Sequence, residues 1–223
     1  MNRIVVVAAL ACLLHSSPAL AVGGMYVDNV LLTNNGASVF ADSFDRGTLE
    51  GWKAAGASLI QSQPNPPQYS LYLNKSQRGR SQAEHVVSLD SVGRLELSAW
   101  LYLPPVEQQS NYAGSRCDYA GFVIYAADPQ DYLTTSLYLQ PKGTGYRAQA
   151  QWRDAVRKNT LVKSYTGKPV INGDTWVRAT MRLDPEEKTV SLLLDNKLAC
   201  RISYEPERFK SISSILLFSD LGG

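Results

Sequence analysis

Gly93-Arg94-Leu95-Glu96-Leu97-Ser98-Ala99-Trp100-Leu101-Tyr102-Leu103 alternates without a break. Leu95, Leu97, Ala99, Leu101 and Leu103 fall on one side, and Arg94, Glu96, Ser98, Trp100 and Tyr102 on the other. A helix would scatter these two sets around its circumference, whereas an extended chain sends successive side chains to opposite faces. The stretch therefore predicts a strand with one face in a core and the other turned away from it.

Working outward, the same period recurs. Thr144 to Arg153 sets Tyr146, Ala148, Ala150 and Trp152 against Arg147, Gln149, Gln151 and Arg153. Trp176 to Leu183 sets Val177, Ala179, Met181 and Leu183 against Trp176, Arg178, Thr180 and Arg182. Further strands are predicted over Met25–Leu32, Val39–Phe44, Ser70–Leu73, Ala83–Val87, Tyr119–Ala126, Leu133–Leu139, Thr160–Tyr165, Thr189–Leu194, Leu198–Ser203 and Ile212–Phe218. Turn-forming residues separate them: Asn34-Asn35-Gly36, Asn65-Pro66-Pro67, Pro104-Pro105, Lys142-Gly143, Asn172-Gly173 and Asp195-Asn196. Glu107 to Arg116 reads as a polar loop. Many short strands divided by turns predict an all-β domain, a sandwich or barrel.

The first 21 residues read as an address. Arg3 supplies a positive start, Ile4 to Leu14 an apolar run, and Ala19-Leu20-Ala21 a small-x-small cleavage site. We expect a signal peptide over residues 1–21 and a single mature domain over 22–223, secreted or periplasmic/extracellular. The rival reading is a lipoprotein acceptor at Cys12, but the apolar run continues past it. No later segment is apolar for long enough to span a membrane as a helix. The chain has 22 Lys and Arg against 20 Asp and Glu, and the leader carries Arg3 and no acid, so the mature domain is near neutral. That argues against nucleic acid as a partner, which demands clustered positive charge.

Export permits disulfides, and Cys117 with Cys200 is the sole pairing within the mature chain; the alternative is two buried free thiols. His85 is the one histidine after the leader, which leaves little for a zinc site or a Ser-His-Asp triad. Its setting, Ala83-Glu84-His85-Val86-Val87, reads as an ordinary strand. No catalytic residue is assigned.

The segment Gly173-Asp-Thr-Trp-Val-Arg-Ala-Thr-Met-Arg-Leu-Asp184, followed by Thr189-Val-Ser-Leu-Leu-Leu-Asp195-Asn-Lys-Leu198, resembles the signature hairpin of laminin-G-like domains. Phe40-Ala-Asp-Ser-Phe-Asp-Arg-Gly47 with Gly51-Trp52 resembles the opening strand of jelly-roll carbohydrate-binding modules, and Tyr26-Val-Asp-Asn-Val-Leu-Leu32 their closing strand. The resemblance implies a two-sheet antiparallel jelly-roll sandwich of the concanavalin A-like kind. The strand that comes last in those modules comes first here, which implies either a circular permutation, the reading favoured here, or a piece of a tandem array.

The resemblance also bears on chemistry. Glycosidases of this fold carry a Glu-x-Asp-x-x-Glu strand, because two carboxylates must flank the scissile bond, and no such motif occurs here. Glu186-Glu187 lies in a turn with divergent side chains. Polysaccharide lyases of this fold use Arg, Gln, His and Tyr on one face, and Arg147, Gln149, Tyr125 and His85 supply the types without the contexts. In similar modules acidic residues of the two quoted strands meet at calcium, so the resemblance implies a structural calcium ion held by Asp28, Asp42 and Asp45. The alternative for Asp28 is a turn cap or an ion pair with Arg46.

The remaining signal is binding. Trp100, Tyr102, Arg94 and Glu96 from one strand, Arg147, Gln149 and Gln151 from a second and Arg178 from a third would form a groove if all three strands share a sheet. Sugars need that mixture, since their apolar faces stack on aromatic rings and their hydroxyls seek amide and guanidinium partners. The expected function is non-catalytic, lectin-like binding of a polysaccharide or glycan. The alternatives are a structural or adhesive module that contacts protein, and a polysaccharide-active enzyme, either lyase or hydrolase.

Overall fold

Two antiparallel sheets account for nearly all of the regular structure. The computed structural model describes residues 24–60, 69–74, 80–103, 105, 118–139, 144–154, 160–166 and 168–220. Within them the strands are β1 (Gly24–Asn34), β2 (Ala37–Asp42), β3 (Trp52–Ala55), β4 (Ala57–Ile60), β5 (Ser70–Asn74), β6 (Arg80–Leu89), β7 (Leu95–Leu103) and β8 (Asp118–Ala126). They continue with β9 (Tyr132–Leu139), β10 (Tyr146–Asp154), β11 (Thr160–Tyr165), β12 (Thr175–Asp184), β13 (Thr189–Leu194), β14 (Lys197–Ser203) and β15 (Ile212–Asp220). A short 3-10 turn, Pro206–Phe209, precedes the last strand. Sheet A runs β14-β13-β12-β7-β1-β5-β4, with β2 also on β1; sheet B runs β11-β10-β9-β8-β15-β6-β3. This is a jelly-roll sandwich, as the alternation and the resemblance lead one to expect.

The inner rows are those the alternation picks out. Leu95, Leu97, Ala99, Leu101 and Leu103 meet Tyr146, Ala148, Ala150 and Trp152 of the opposite sheet in one buried cluster, with Val177, Ala179, Met181 and Leu183 beside them. Each fully buried large aliphatic side chain contributes about 1.5–3 kcal/mol. Asn35 and Gly36 adopt φ of 52° and 79°, and Asp195 and Asn196 of 48° and 63°, the left-handed pairs that close tight β1–β2 and β13–β14 hairpins.

β1 is an interior strand of sheet A. Its first half pairs with β5, its second half with β2, and its other edge with β7 along both halves. Asp28 pairs with Trp100 and Leu31 with Ser98, so Asn29 and Val30 together oppose Ala99. This β-bulge reverses which residues face inward: Val27 and Val30, three apart, both lie in the core. At the sandwich end, Gly24 pairs with Asn74 and Asp220 with Arg80, so the first and last described residues lie beside the end of β5 and the start of β6.

Two strands, β3 and β4, go beyond the sequence expectation. Lys53-Ala-Ala-Gly-Ala57 has little β-branched or aromatic content, and Gly56 at φ 66° breaks the run in two. They form because β6 and β5 offer them edges. Cys200 is a free, buried thiol whose pKa burial pushes up to about 12, so the expected bridge is not formed there. Its proposed partner Cys117, like the leader, lies outside the described residues.

Candidate functional site

The three outward rows do not share a sheet. β7 and β12 are neighbours in sheet A, whereas β10 belongs to sheet B. Trp100, Tyr102, Arg94, Glu96 and Arg178 therefore lie on one outer face, and Arg147, Gln149 and Gln151 on the opposite one. A single eight-residue groove is not formed. The sandwich presents two separate faces instead.

On the sheet A face, cross-strand register stacks the residues in levels. Asp28, Trp100 and Arg178 form one level across β1, β7 and β12. The next level toward the sandwich end carries Tyr72, Tyr26, Tyr102 and Trp176, whose successive ring centroids lie 4.9, 5.7 and 5.8 Å apart. The level on the other side holds Leu31, Ser98 and Thr180. Beyond it, Arg182 donates to Glu96 at 2.7 Å, and Arg94 lies 3.6 Å from the same carboxylate.

A cleft of about 540 Å³ opens on this face, lined by Trp100 and Arg178 together with Asn29, Leu31, Asp42 and Ser43. Trp100 is partly exposed, so its indole can present apolar surface there. The rim is built with backbone strain. Asn29 sits in the bulge at φ 51°, and Phe44, fully buried, adopts φ 60°, a conformation costly for a bulky residue. Such strain gathers where a site over-determines its backbone. The bulge aims exposed Asn29 away from the core row, and the Phe44 kink turns the chain just after Ser43. Asn29 and Ser43 are absent from the sequence-derived set. A bulge cannot be read from alternation, although Asn at position 29 is a residue that tolerates left-handed φ.

Several expected ligands prove to be committed elsewhere. Tyr102 is only 8% exposed, and its hydroxyl donates to Asp174 Oδ1 at 2.7 Å; burial and then that carboxylate raise its pKa. Ser98 and Thr180, which the alternation puts on the outward rows, are nonetheless buried. Arg94 and Glu96 line a second, larger cleft of about 760 Å³ with Asp184 and Glu186. There Arg94 pairs with Glu96, and Asp184 Oδ1 accepts from the Glu186 and Glu187 N–H groups.

The calcium set does not fit as three carboxylates. Asp42 Oδ1 accepts from the Phe44 N–H at 2.8 Å, and its Oδ2 accepts from the Trp52 indole N–H at 2.8 Å, so both oxygens serve the loop fold. Asp45, exposed, accepts from Ser43 Oγ at 2.7 Å. Asp28 is buried and accepts from the Asn29 N–H at 2.7 Å. Burial raises its pKa to about 6, the Asn29 bonds oppose that shift, and the charge of Asp45 adds to it. Among the described residues no group of three or more His, Cys, Asp or Glu side chains is placed to hold a metal.

His85 stacks on Phe40 with centroids 3.9 Å apart, and its Nδ1 lies 3.0 Å from Gly51 O. It closes the sandwich edge beside Trp52, far in sequence register from the rows above.

No family profile matches the chain, and no curated protein does. Solved structures similar to it include an apo Crh5 transglycosylase (14% identity, TM-score 0.49, 86% of this chain and 69% of that one). The carbohydrate recognition domain of Emp47p is similar at 13% identity and TM-score 0.48, over 78% of this chain and 81% of its own. A carbohydrate-binding module of Bacillus subtilis, CBM66, is similar at 10% identity and TM-score 0.43, over 76% and 91%. At such identities and scores, function must be argued from this chain's own residues.

Proposed function

We propose that this chain is an exported carbohydrate-binding module that holds a glycan in the Trp100–Arg178 cleft. The observation that carries the reading is the composition of that cleft: a partly exposed indole bracketed by a guanidinium, the Asn29 amide and the Ser43 hydroxyl, on a strained and therefore specified rim. An aromatic face stacks on the apolar side of a sugar ring while fork-shaped and amide donors take its hydroxyls. Arg178 makes only a 3.5 Å contact to Ser98 Oγ and has no carboxylate ion pair among the described residues, which leaves its donors for a ligand. Binding without cleavage is favoured because the cleft's own carboxylate, Asp42, has both oxygens engaged and cannot act as one of a flanking pair.

The test is affinity electrophoresis of the mature domain through gels containing laminarin, xylan, galactomannan or dextran. Retardation is expected in at least one, without release of reducing ends or unsaturated sugars. Trp100→Ala should weaken it tenfold or more with the melting midpoint nearly unchanged, and Arg178→Ala several-fold. Migration unaffected by every gel would favour a protein-contacting module, and product release would make the chain an enzyme.

A further inference from the structure

The two clefts of the sheet A face adjoin. Beyond bulged Asn29, β1 presents Leu31 and Thr33 outward, opposite Ser98 and Glu96 of β7, and the turn residue Asn35 follows. Asn29 and Leu31 line the Trp100–Arg178 cleft, whereas Thr33 and Asn35 line the larger cleft with Arg94 and Glu96. Leu31 and Thr33 are successive members of the outward row, so no outward side chain of β1 separates the two clefts. On β7 the same passage runs from Trp100 to Glu96, roughly 13 Å of extended chain.

The lining groups are open to a ligand. Leu31, Thr33, Glu96 and Trp100 are partly exposed, and Asn29, Arg94 and Arg178 are exposed. At the junction, Ser98 and Thr180 are short side chains that form a low, buried floor. The Arg178 guanidinium reaches back over that level, with Nη2 3.5 Å from Ser98 Oγ, and so stands at the boundary of the two clefts. The two ends differ in chemistry. One has the Trp100 indole, a stacking surface. The other has no aromatic ring in its lining; it offers the Thr33 hydroxyl, the carboxylates of Glu96, Asp184 and Glu186, and the Arg94 guanidinium, which makes only a 3.6 Å contact to Glu96 among the described residues.

We infer that the two clefts are one trough, which takes an extended chain of neutral sugar units laid along β1 and β7, stacked on Trp100 at one end and hydrogen-bonded by Thr33, Arg94 and Glu96 at the other. This rests on the glycan reading of the Trp100 cleft and extends it to the length and charge of the ligand. A span of roughly 13 Å is too long for one sugar ring and within reach of about three linked ones. Sugar hydroxyls both donate and accept, which suits a subsite that mixes a guanidinium, a hydroxyl and carboxylates. Glu96 is paired with Arg182, and the remaining acids Asp184 and Glu186 outweigh Arg94, which sets this lining against the carboxylates of a uronic-acid chain.

The experiment is isothermal titration calorimetry of the mature domain with laminari-, xylo-, manno- and isomalto-oligosaccharides of two to six units, and with oligogalacturonides of the same lengths. In a neutral series that binds, affinity should rise tenfold or more between two and five units and then level off, and Trp100→Ala should weaken every length. Arg94→Ala and Thr33→Val, made singly and together and checked for folding by the melting midpoint, should remove most of that gain, so that long and short oligomers bind nearly alike. Oligogalacturonides should bind at least tenfold more weakly. Affinity that is flat from two to six units, yet lost in Trp100→Ala, overturns the trough and leaves the glycan reading of the Trp100 cleft standing. A gain with length that survives both substitutions also overturns it, since the added units would then lie elsewhere. Oligogalacturonides that bind as well as the neutral series overturn the choice of a neutral chain. Binding by none of the oligomers overturns the trough and the glycan reading together.

Discussion

The two outer faces of the sandwich are built from strands with the same alternation, yet they differ in kind. The sheet A face is open and ionic: two clefts, an Arg94–Glu96–Arg182 cluster, and an acid, an indole and a guanidinium in one level. The sheet B face is closed over its centre, with Thr134, Ser136, Tyr138 and Gln149 all under 4% exposed and Val123, Leu216 and Phe218 gathered into a small apolar cluster. A period of two separates inward from outward. It does not say how deep an outward residue lies, because that depends on the length of its neighbours two strands away.

Three substitutions probe this contrast. The largest effect is expected at Gly121. Alanine there would meet backbone atoms that cannot give way, so Gly121→Ala should destabilise the fold by about 3 kcal/mol, read from urea unfolding. A cost near zero would mean that the sheet B floor is not as tight as described.

Next is Asp28, the buried acid of the open face. Its pKa is raised from 3.8 to about 6 in the folded state. Below the lower value both states are protonated and the group contributes nothing. As pH rises between the two values the unfolded chain releases the proton first, so stability falls, and above about pH 6 the loss is complete and constant. Asp28→Asn keeps the acceptor for the Asn29 N–H and removes the charge. It should raise stability at pH 7 by on the order of 1–2 kcal/mol and leave it unchanged below pH 4, measured by denaturant melts across pH. A parent protein whose midpoint climbs with added calcium, while Asp28→Asn does not respond, would return Asp28 and Asp45 to a cation site.

The smallest effect is expected at the ion cluster. Arg182 and Glu96 are 29% and 34% exposed at their side chains, so Glu96→Gln should cost less than about 1 kcal/mol and less still at high salt. A larger, salt-resistant loss would show the open face to be drier than its clefts suggest.

Much of the fold was legible. The alternating rows of β7, β10 and β12 name core residues that do lie in the core, and the Asn35-Gly36 and Asp195-Asn196 turns close hairpins where expected. The site was legible only to a degree. Trp100 and Arg178 come together because β7 and β12 are neighbours, but nothing local in Arg147-Ala-Gln149 announces that β10 joins the other sheet. Sheet membership is a long-range property, decided by which edge each strand finds. Asn29 and Ser43 were hidden for another reason: the bulge and the Phe44 kink re-aim side chains against the period that reveals the strands. Asp42 looked like a metal ligand because its sequence cannot show the Trp52 indole that occupies it.

The placement of the first and last described residues has a mechanical consequence. β1 enters sheet A at Gly24 beside Asn74, and β15 leaves sheet B at Asp220 beside Arg80, with only residues 75–79 between those two partners. Tension applied at Gly24 and Asp220 would act on both strands from the same edge of the sandwich. Cross-strand hydrogen bonds would then break in succession, like a zip, instead of sharing the load in shear. Pulled at these two points, the described sandwich would yield at low force, while a load applied across its two faces would compress or shear the sheets and leave those end bonds unloaded.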